Sequence, residues 1–375
     1  MAIIAAADGC ANLIGKRGSS ISELKVLLTD KCNLSCTYCP AVKNSNELSP
    51  AAGYKGIKDF LALSTHNPQI TFSGGEPLLV FPSLVQTVEK IASNKFNFTL
   101  ITNGTLTTPR IASYLRQHNF EIKVSIDGNS VSHNKCRKRR GKTSFSSARQ
   151  GLMEYMKDGY PVKANLVFSP LTVSSLVDNL KYIAGTGVRH IDIQGDIISL
   201  WQGESLSKAK RSFDEFVNYY VALFEGDSSE LFMVPSLRSL IGKKPLSGIR
   251  KCDKVSLFPD GKYYLCDRLA WFPQKERALF CIGSAGIGID LVKREAIFKG
   301  LFSQMRKVTS SRCQKCAFSH FCPCLIGGFF ASRKLGMPYE EYFEGFCALS
   351  RVYLKSYLRI FSRLRNNPRF IGAYS

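Results

Sequence analysis

Three features are missing from this 375-residue sequence: a long apolar segment, a signal peptide and the cysteine density of a secreted disulfide scaffold. The longest weakly polar run, residues 278–289, falls short of the roughly 20 residues that span a bilayer. The apolar N-terminus lacks a basic region and is interrupted by Asp8. The 13 cysteines fall in tight clusters, which is typical of metal ligands in a reducing compartment. We therefore expect a cytoplasmic protein that makes no membrane contact.

Acidic residues are also scarce, since 29 Asp and Glu stand against 51 Lys and Arg and give a formal charge of +22. Such an excess can indicate nucleic acid or another anionic partner. It is concentrated in the loop Lys135–Lys142 and on a predicted C-terminal helix, where four cations recur every four residues: Arg351, Lys355, Arg359 and Arg363. Each feature is either a solvated face or a docking surface for an acidic peptide or nucleic acid.

Between residues 21 and about 200, short apolar runs alternate with helical patterns, which predicts βα units and a parallel sheet. The predicted strands are Glu23–Leu28, Gln69–Phe72, Asn97–Ile101, Glu121–Ile126, Val162–Phe168 and His190–Gln194. The predicted helices are Pro50–Leu63, Pro82–Ser93, Pro109–Gln117, Phe145–Asp158, Ser174–Ala184 and residues 207–225. Six βα units make a partial (β/α)6 TIM-type barrel, open on one side, with its functional residues on the loops after the strands.

The loop after the first predicted strand carries three cysteines within eight residues, Cys32, Cys36 and Cys39. Three thiolates so close together suit an iron–sulfur cluster or zinc, and they leave one metal position without a protein ligand. The alternatives are reduced structural cysteines, or half of a zinc site that is completed elsewhere.

The CxxxCxxC spacing, with an aromatic residue before the third cysteine, resembles the cluster loop of the radical S-adenosylmethionine (SAM) enzymes. The segments Gly74-Gly-Glu-Pro77, Thr102-Asn-Gly104 and Ser125-Ile-Asp-Gly128 resemble further motifs of that family. The resemblance implies a [4Fe-4S] cluster on the three cysteines, with SAM contacts at Tyr38, Gly74, Gly75, Glu76, Asn103, Ser125 and Asp127. Taken singly, each later segment is also consistent with a polar turn that closes a strand.

The segment His133-Asn-Lys-Cys-Arg137, followed by Ser144-Phe145, partly resembles one found in the peptide-modifying and sulfatase-maturing branch. The match is partial because Asn134 replaces the usual Asp. In that branch the arginine helps to bind SAM, so the resemblance makes Arg137 a SAM contact. Gln194, at the end of the sixth strand, is expected in an adenine or substrate wall, or else is structural.

Seven further cysteines in the C-terminal region resemble, in their order, the SPASM domain, which carries two auxiliary [4Fe-4S] clusters. The resemblance implies one cluster on Cys252, Cys266 and Cys324, and another on Cys313, Cys316, Cys322 and Cys347. The first set has only three thiolates, which leaves an open or non-cysteine position. A single residue separates Cys322 from Cys324, where the family has three, so the cluster served by Cys324 stays open. A zinc ribbon on four of these cysteines is the alternative.

Asp267 follows Cys266 directly. In the sulfatase-maturing branch an Asp at this place acts as the general base, so Asp267 is the candidate catalytic residue. Its alternative role is a hydrogen bond to the cluster or to Arg268. The expected domains are an N-terminal arm at 1–20, the partial barrel at 21–235, a SPASM domain with little regular structure at 236–347, and a basic helix and tail at 348–375.

By family mechanism, the implied activity is cleavage of SAM to methionine and a 5′-deoxyadenosyl radical that abstracts hydrogen from a peptide or protein side chain. We favour maturation of a short ribosomally made precursor peptide through a carbon–carbon or thioether crosslink. The basic surfaces would suit an acidic leader, and a flavodoxin- or ferredoxin-type protein would supply electrons. The alternatives are an anaerobic sulfatase maturase that forms formylglycine, and a non-catalytic metal-cluster protein that binds nucleic acid.

Overall fold

The structure is a computed structural model, and it describes residues 21–64, 67–91, 97–139, 141–226, 228, 230–241, 252–313, 316 and 324–374. The predicted arm at 1–20 and the predicted cluster ligand Cys322 lie outside the described residues. The predicted domain boundaries stay a prediction.

The strands, in chain order, are β1 (Glu23–Leu27), β2 (Gln69–Ser73), β3 (Asn97–Thr102), β4 (Glu121–Ser125), β5 (Lys138–Arg139), β6 (Lys142–Thr143), β7 (Val162–Phe168), β8 (His190–Gly195), β9 (Lys254–Leu257), β10 (Lys262–Tyr264), β11 (Cys281–Ser284) and β12 (Gly288–Ile289). The six predicted strands correspond to β1, β2, β3, β4, β7 and β8, with ends that agree within a residue or so. Apolar runs bounded by turn residues were therefore a sufficient signal for the parallel strands.

The helices are α1 (Pro50–Leu63), α2 (Phe81–Ile91), α3 (Pro109–Gln117), α4 (Ser130–Cys136), α5 (Phe145–Tyr155), α6 (Leu176–Gly185), α7 (Gly203–Glu225), α8 (Pro235–Ile241), α9 (Gln274–Arg277), α10 (Leu291–Cys313), α11 (Leu325–Leu335), α12 (Tyr339–Leu364) and α13 (Pro368–Tyr374). Two of them begin as their sequence predicts. The side chains of Ser49 and Thr108 cap α1 and α3, and a proline occupies the first turn of each helix.

The chain divides into two units, which we describe separately. The first unit falls within Met1–Asn33, Ala41–Leu100 and Cys252–Lys315, and the second within Leu34–Pro40, Ile101–Lys251 and Cys316–Ser375. Each unit thus combines residues from the predicted barrel with residues from the cysteine-rich region.

In the first unit, β1 is the central strand of the sheet. It pairs in parallel with β2 on one side and with β9 on the other, while β3 continues the parallel order beyond β2. Strands β10, β11 and β12 follow β9 in antiparallel order. Four of the five residues of β1 are buried, as expected for a parallel strand with neighbours on both edges.

The second unit contains the parallel strands β4, β7 and β8, packed with helices. Phe168, at the end of β7, packs against Trp201, Phe213 and Tyr353, with ring centroids 5.5, 5.5 and 6.2 Å away. The Tyr374 hydroxyl lies 2.6 Å from that of Tyr220, which holds the chain end in this core.

The cysteine-rich region has more regular structure than the sequence indicated. It contributes four strands and the long helix α10, because the hairpin of β9 and β10 continues the sheet of β1 instead of forming a separate loop domain. Among the described residues, no helix is both long enough and apolar enough to span a lipid bilayer.

Candidate active site

The two residues that follow β1, Leu28 and Thr29, still make sheet-like contacts before the three-cysteine loop begins. Leu28 donates its N–H to Ser73 O at 2.9 Å, and Thr29 forms a β-bridge with Glu47. Cys32 and Cys36 are half-buried, and Cys39 is exposed. The structure therefore places the three thiols on the loop at the carboxyl end of a central parallel strand, as the sequence predicted.

The Gly-Gly-Glu segment after β2 is held against the residues that precede Cys32. Gly75 N–H donates to Thr29 O at 2.7 Å, and Glu76 N–H donates to Lys31 O at 2.8 Å. A Cβ on Gly75 would lie 1.9 Å from Lys31 O, so only glycine allows this approach. Gly74 has φ +137°, which also favours glycine. The Glu76 side chain is buried, and its Oε1 accepts a hydrogen bond from Leu78 N–H at 3.1 Å.

Three other predicted SAM contacts lie at or just after the ends of later strands, in the second unit. Asn103 is buried and its Oδ1 accepts from the N–H and hydroxyl of Thr105 at 2.9 and 2.7 Å, which closes a tight turn after β3. Ser125 is half-buried at the end of β4, and Gln194 is exposed near the end of β8. Their roles in SAM binding stay predictions.

Asp127 is the centre of a buried hydrogen-bond network. Its Oδ2 accepts from the Tyr38 hydroxyl at 2.5 Å and from Arg137 Nε at 2.9 Å. Its Oδ1 accepts from a second guanidinium nitrogen of Arg137 at 3.1 Å and from Val167 N–H at 3.0 Å. The Arg137 guanidinium also lies 5.4 Å from the centre of the Tyr38 ring. Burial raises the pKa of Tyr38 well above its usual value, so Tyr38 is the donor of its bond to the carboxylate.

The partly matching segment around His133 forms the floor of this network. Asp127 N–H donates to His133 Nδ1 at 3.4 Å, and His133 Nε2 lies 3.1 Å from the Ser144 hydroxyl, which donates to Arg137 O at 2.6 Å. Burial and the nearby Arg137 charge lower the pKa of His133 to about 4, so a neutral imidazole with its proton on Nε2 satisfies both contacts. Asn134 Oδ1 accepts from the N–H groups of Ser144 and Phe145 at 3.1 Å each. The amide that replaces the usual carboxylate thus caps the start of α5.

Asp267, the candidate general base, forms an ion pair in the first unit. Its Oδ2 lies 2.6 Å from Nζ of Lys25 on β1, and its Oδ1 accepts from Cys266 Sγ at 3.5 Å. Burial alone would raise the pKa of Asp267, but the charges of Lys25 and Arg268 outweigh it and hold that pKa well below its usual value. The structure therefore shows an ionised carboxylate beside a predicted cluster ligand, and its catalytic role stays a prediction.

A buried arginine lies beside Cys252, at the start of the hairpin of β9 and β10. Arg294, in the first turn of α10, donates to Cys252 O, and its guanidinium lies 4.8 Å from the Phe298 ring centre. Its Nε is buried without a hydrogen-bond partner among the described residues. Burial lowers the pKa of Arg294, and the Cys252 sulfur opposes this most strongly. A buried cation with an unsatisfied donor fits an anionic group near Cys252.

The remaining predicted cluster ligands that the structure describes lie at separate points of the chain. Cys313 ends α10, Cys316 is half-buried, Cys324 precedes α11 and accepts from Gly327 N–H at 3.4 Å, and Cys347 lies within α12. Across the described part of the chain, no three His, Cys, Asp or Glu side chains are gathered closely enough to hold a single metal ion. The thiolates that bind a four-iron cubane surround a larger group than a single ion, so this finding does not test the auxiliary ligand sets. Both sets stay predictions.

Sequence reasoning missed Lys25 and Arg294. Lys25 could have been recognised, because a lysine in the middle of a predicted buried parallel strand needs a buried or half-buried partner. No pattern in the sequence distinguishes Arg294 from the other basic residues of α10, since only the fold brings its side chain to Cys252.

The family of this domain is established by comparison with known proteins. Residues 26–183 match the Radical SAM superfamily. The chain therefore contains a radical SAM domain, and the resemblance of the CxxxCxxC, Gly-Gly-Glu-Pro and Thr-Asn-Gly segments is confirmed.

Two named relatives align with much of the chain. The radical SAM cyclopropyl synthase TigE of Paramaledivibacter caminithermalis is 22% identical over 400 residues, which cover 94% of this chain and 76% of that protein. The serine-type anaerobic sulfatase-maturating enzyme of Bacteroides thetaiotaomicron is 29% identical over 283 residues, which cover 65% and 68%. The chain spans only 49% to 61% of the length of several other relatives.

Solved structures share the fold. Native anSMEcpe with bound AdoMet and the Cp18Cys peptide has a TM-score of 0.67 at 20% identity, with 94% of this chain and 98% of that chain covered. SuiB of Streptococcus suis bound to the precursor peptide SuiA has a TM-score of 0.57 at 14% identity, covering 83% and 73%. At these identities the likeness shows the fold alone, and it confirms the predicted α/β class with its parallel sheet.

Proposed function

We propose that this protein is a radical SAM enzyme that oxidatively modifies side chains of a ribosomally made precursor peptide. The observation that carries the proposal is the clamp between Gly75 and Glu76 and the residues just before Cys32, in a domain of this family. The clamp joins the loop that would bind the cluster to the segment that would bind the amino end of SAM. A [4Fe-4S] cluster with SAM supplies a 5′-deoxyadenosyl radical when both are bound.

The residues of this chain have separate tasks in the proposal. Cys32, Cys36 and Cys39 would hold three irons of the cluster, and Glu76 would accept a hydrogen bond from the SAM ammonium group. Asn103, Ser125 and Gln194 would line the nucleoside.

A peptide substrate is supported by the neighbours, because SuiB binds the precursor peptide SuiA and anSMEcpe binds the Cp18Cys peptide. We favour a carbon–carbon or thioether crosslink as the product. Formylglycine formation in a sulfatase is the second candidate, and it is supported by Asp267 after Cys266 and by the Bacteroides relative.

The remaining cysteines would hold two auxiliary clusters, which would supply an acceptor for the one electron that the substrate radical loses. A flavodoxin- or ferredoxin-type protein would supply the electron that SAM cleavage consumes. Cys252 and Cys266 lie at the same open end of the hairpin of β9 and β10, as two ligands of one cluster would need. The unsatisfied Nε of Arg294 beside Cys252 fits the negative charge of such a cluster. The other proposed ligands are Cys324 for this cluster, and Cys313, Cys316, Cys322 and Cys347 for the second.

An acidic leader would dock on the basic face of α12. Arg351, Lys355, Arg359 and Arg363 are all exposed, and their i, i+4 spacing puts like charges together at a cost in helix stability. Asp214 on α7 forms an ion pair with Arg359. The basic loop Lys135–Lys142 fits this role less well than its sequence indicated, because Arg137 is buried against Asp127. A nucleic-acid partner is the alternative for the same face.

The test uses reconstituted protein, reductant, SAM and the short peptides encoded beside it. Mass spectrometry of a crosslinked peptide shows a loss of two hydrogens, whereas formylglycine formation gives an aldehyde at Ser or Cys. Deuterium at the modified side chain should appear in 5′-deoxyadenosine. Bound zinc, no SAM cleavage and nucleic-acid binding that weakens steeply with salt would favour the non-catalytic alternative.

A further inference from the structure

The carboxylate of Asp127 is fully occupied by the protein. A carboxylate offers about four lone-pair sites, and Tyr38, Val167 and both donors of Arg137 fill them. Its side chain is inaccessible to solvent. A SAM hydroxyl could reach Asp127 only by displacing one of these donors, which would leave a buried polar group without a partner.

Two of these donors are joined to the cluster loop. Tyr38 is the residue directly before Cys39. The two residues that flank Arg137 in the sequence bind the backbone of the cluster loop. Ser35 N–H donates to Lys138 O at 2.7 Å, and Thr37 N–H donates to Cys136 O at 2.9 Å. The loop is therefore fixed by its backbone to residues 136–138 and by Tyr38 to Asp127, on either side of Cys36.

We propose that Asp127 is a positioning residue, which acts through Tyr38 and Arg137 to fix the segment from Cys36 to Cys39, instead of a ligand of SAM. This inference rests on the proposed function, because it assumes a cluster on that segment. The Asp127 carboxylate neutralises the Arg137 guanidinium and orients Tyr38. The sulfurs of Cys36 and Cys39 would therefore keep the same spacing before SAM binds.

A positioning residue and a SAM contact affect different properties of the protein. A residue that only contacts SAM changes the affinity for SAM and leaves the SAM-free cluster as it was. A residue that positions the loop changes how firmly the SAM-free cluster is held and the spectrum that it gives.

The test compares Tyr38→Phe with Tyr160→Phe. Each variant removes one hydroxyl and keeps the ring, but the Tyr160 hydroxyl donates to Phe120 O at 2.7 Å, which is not part of the cluster loop. Each protein is reconstituted without SAM. Iron release to a chelator and the electron paramagnetic resonance spectrum of the reduced protein are measured, after subtraction of the spectrum of a Cys36→Ala variant that lacks this cluster.

We expect Tyr38→Phe to release the iron of this cluster about tenfold faster than wild type, with altered g-values before SAM is added, as the loss of a hydrogen bond to a charged group would cause. Tyr160→Phe should match wild type. An unchanged SAM-free spectrum and iron release, with only a raised KM for SAM, would overturn the inference. Asp127→Asn should show a larger effect than Tyr38→Phe. If Asp127→Asn does not fold, Tyr38→Phe still decides, because it keeps the Asp127–Arg137 pair. Wild-type protein that takes up no cluster would instead contradict the proposed function.

Discussion

Lys25 and Asp267 form an ion pair, with Nζ of Lys25 2.6 Å from Oδ2 of Asp267. The lysine comes from the central strand β1, and the aspartate directly follows a predicted cluster ligand. The pair keeps Asp267 ionised, as a proton acceptor must be, but the neighbouring cation lowers the driving force for taking a proton. Movement of Lys25 away from the carboxylate during turnover would restore that basicity.

Replacing Asp267 should separate SAM cleavage from product formation. In Asp267→Asn we expect 5′-deoxyadenosine formation within a few-fold of wild type, and peptide product formation lower by about 100-fold, the usual contribution of a general base. Both products are measured by liquid chromatography and mass spectrometry from the same reaction. Asp260→Asn, elsewhere in the same hairpin, is the control. Product formation by Asp267→Asn at the wild-type rate would assign Asp267 a structural role with Lys25.

A side chain at Gly75 should damage the cluster loop. In Gly75→Ala the new Cβ would lie 1.9 Å from Lys31 O, so the two loops must separate. We expect stability to fall by about 1–3 kcal/mol. With the three proposed cubanes, iron after reconstitution should fall from about twelve to about eight per chain, since one cubane would be lost. Gly372→Ala, where a Cβ meets nothing within 4 Å, is the control. Full iron content and SAM cleavage in Gly75→Ala would contradict the clamp.

Stability should depend on pH through His133. Its pKa is about 4 in the folded protein and about 6.5 when unfolded, so between these values the unfolded state binds more protons. The stabilising contribution of the neutral imidazole is complete above pH 6.5 and is lost as the pH falls towards 4. The free energy of unfolding should therefore fall by about 2 kcal/mol between pH 7 and pH 5 relative to His133→Gln. Parallel curves for the two proteins would show that His133 does not titrate in this way.

The basic face of α12 should control binding of an acidic leader. The double variant Arg351→Glu/Lys355→Glu should bind the leader at least about tenfold more weakly and with a smaller salt dependence, because two attractive charges become repulsive. Arg333→Glu/Lys334→Glu on α11 makes the same change of charge at two other exposed positions and should have little effect. Fluorescence anisotropy of the labelled peptide at several salt concentrations measures both. Equal loss in the two double variants would indicate only a general effect of net charge.

The strands and their functional loops could be predicted because local signals were strong. Apolar runs gave β1, β2, β3, β4, β7 and β8, and Pro50 and Pro109 gave the starts of α1 and α3. The cysteines, Gly75 and Glu76 could be assigned to neighbouring loops because parallel strands present their carboxyl ends at one edge.

What the sequence did not reveal depends on contacts between distant residues. The pairing of β9 with β1 joins residues more than 200 positions apart, and the pair of Lys25 with Asp267 follows from it. Asp127 and Arg137 were both expected to contact SAM, since their motifs identify a site but not which atoms are already paired. The structure pairs them with each other. We therefore propose a positioning role for Asp127, and the contact of Arg137 with SAM stays a prediction.

Anaerobic assay of 5′-deoxyadenosine tests the central claim most directly. Reconstituted wild-type protein with reductant and SAM should form 5′-deoxyadenosine and methionine in equal amounts, and Cys32→Ala should form neither, because the cluster then lacks one of three thiolates. Cys281→Ala, which changes a thiol outside every proposed ligand set, should keep the activity. Cleavage of SAM by Cys32→Ala at the wild-type rate, or none by iron-loaded wild-type protein, would contradict the account.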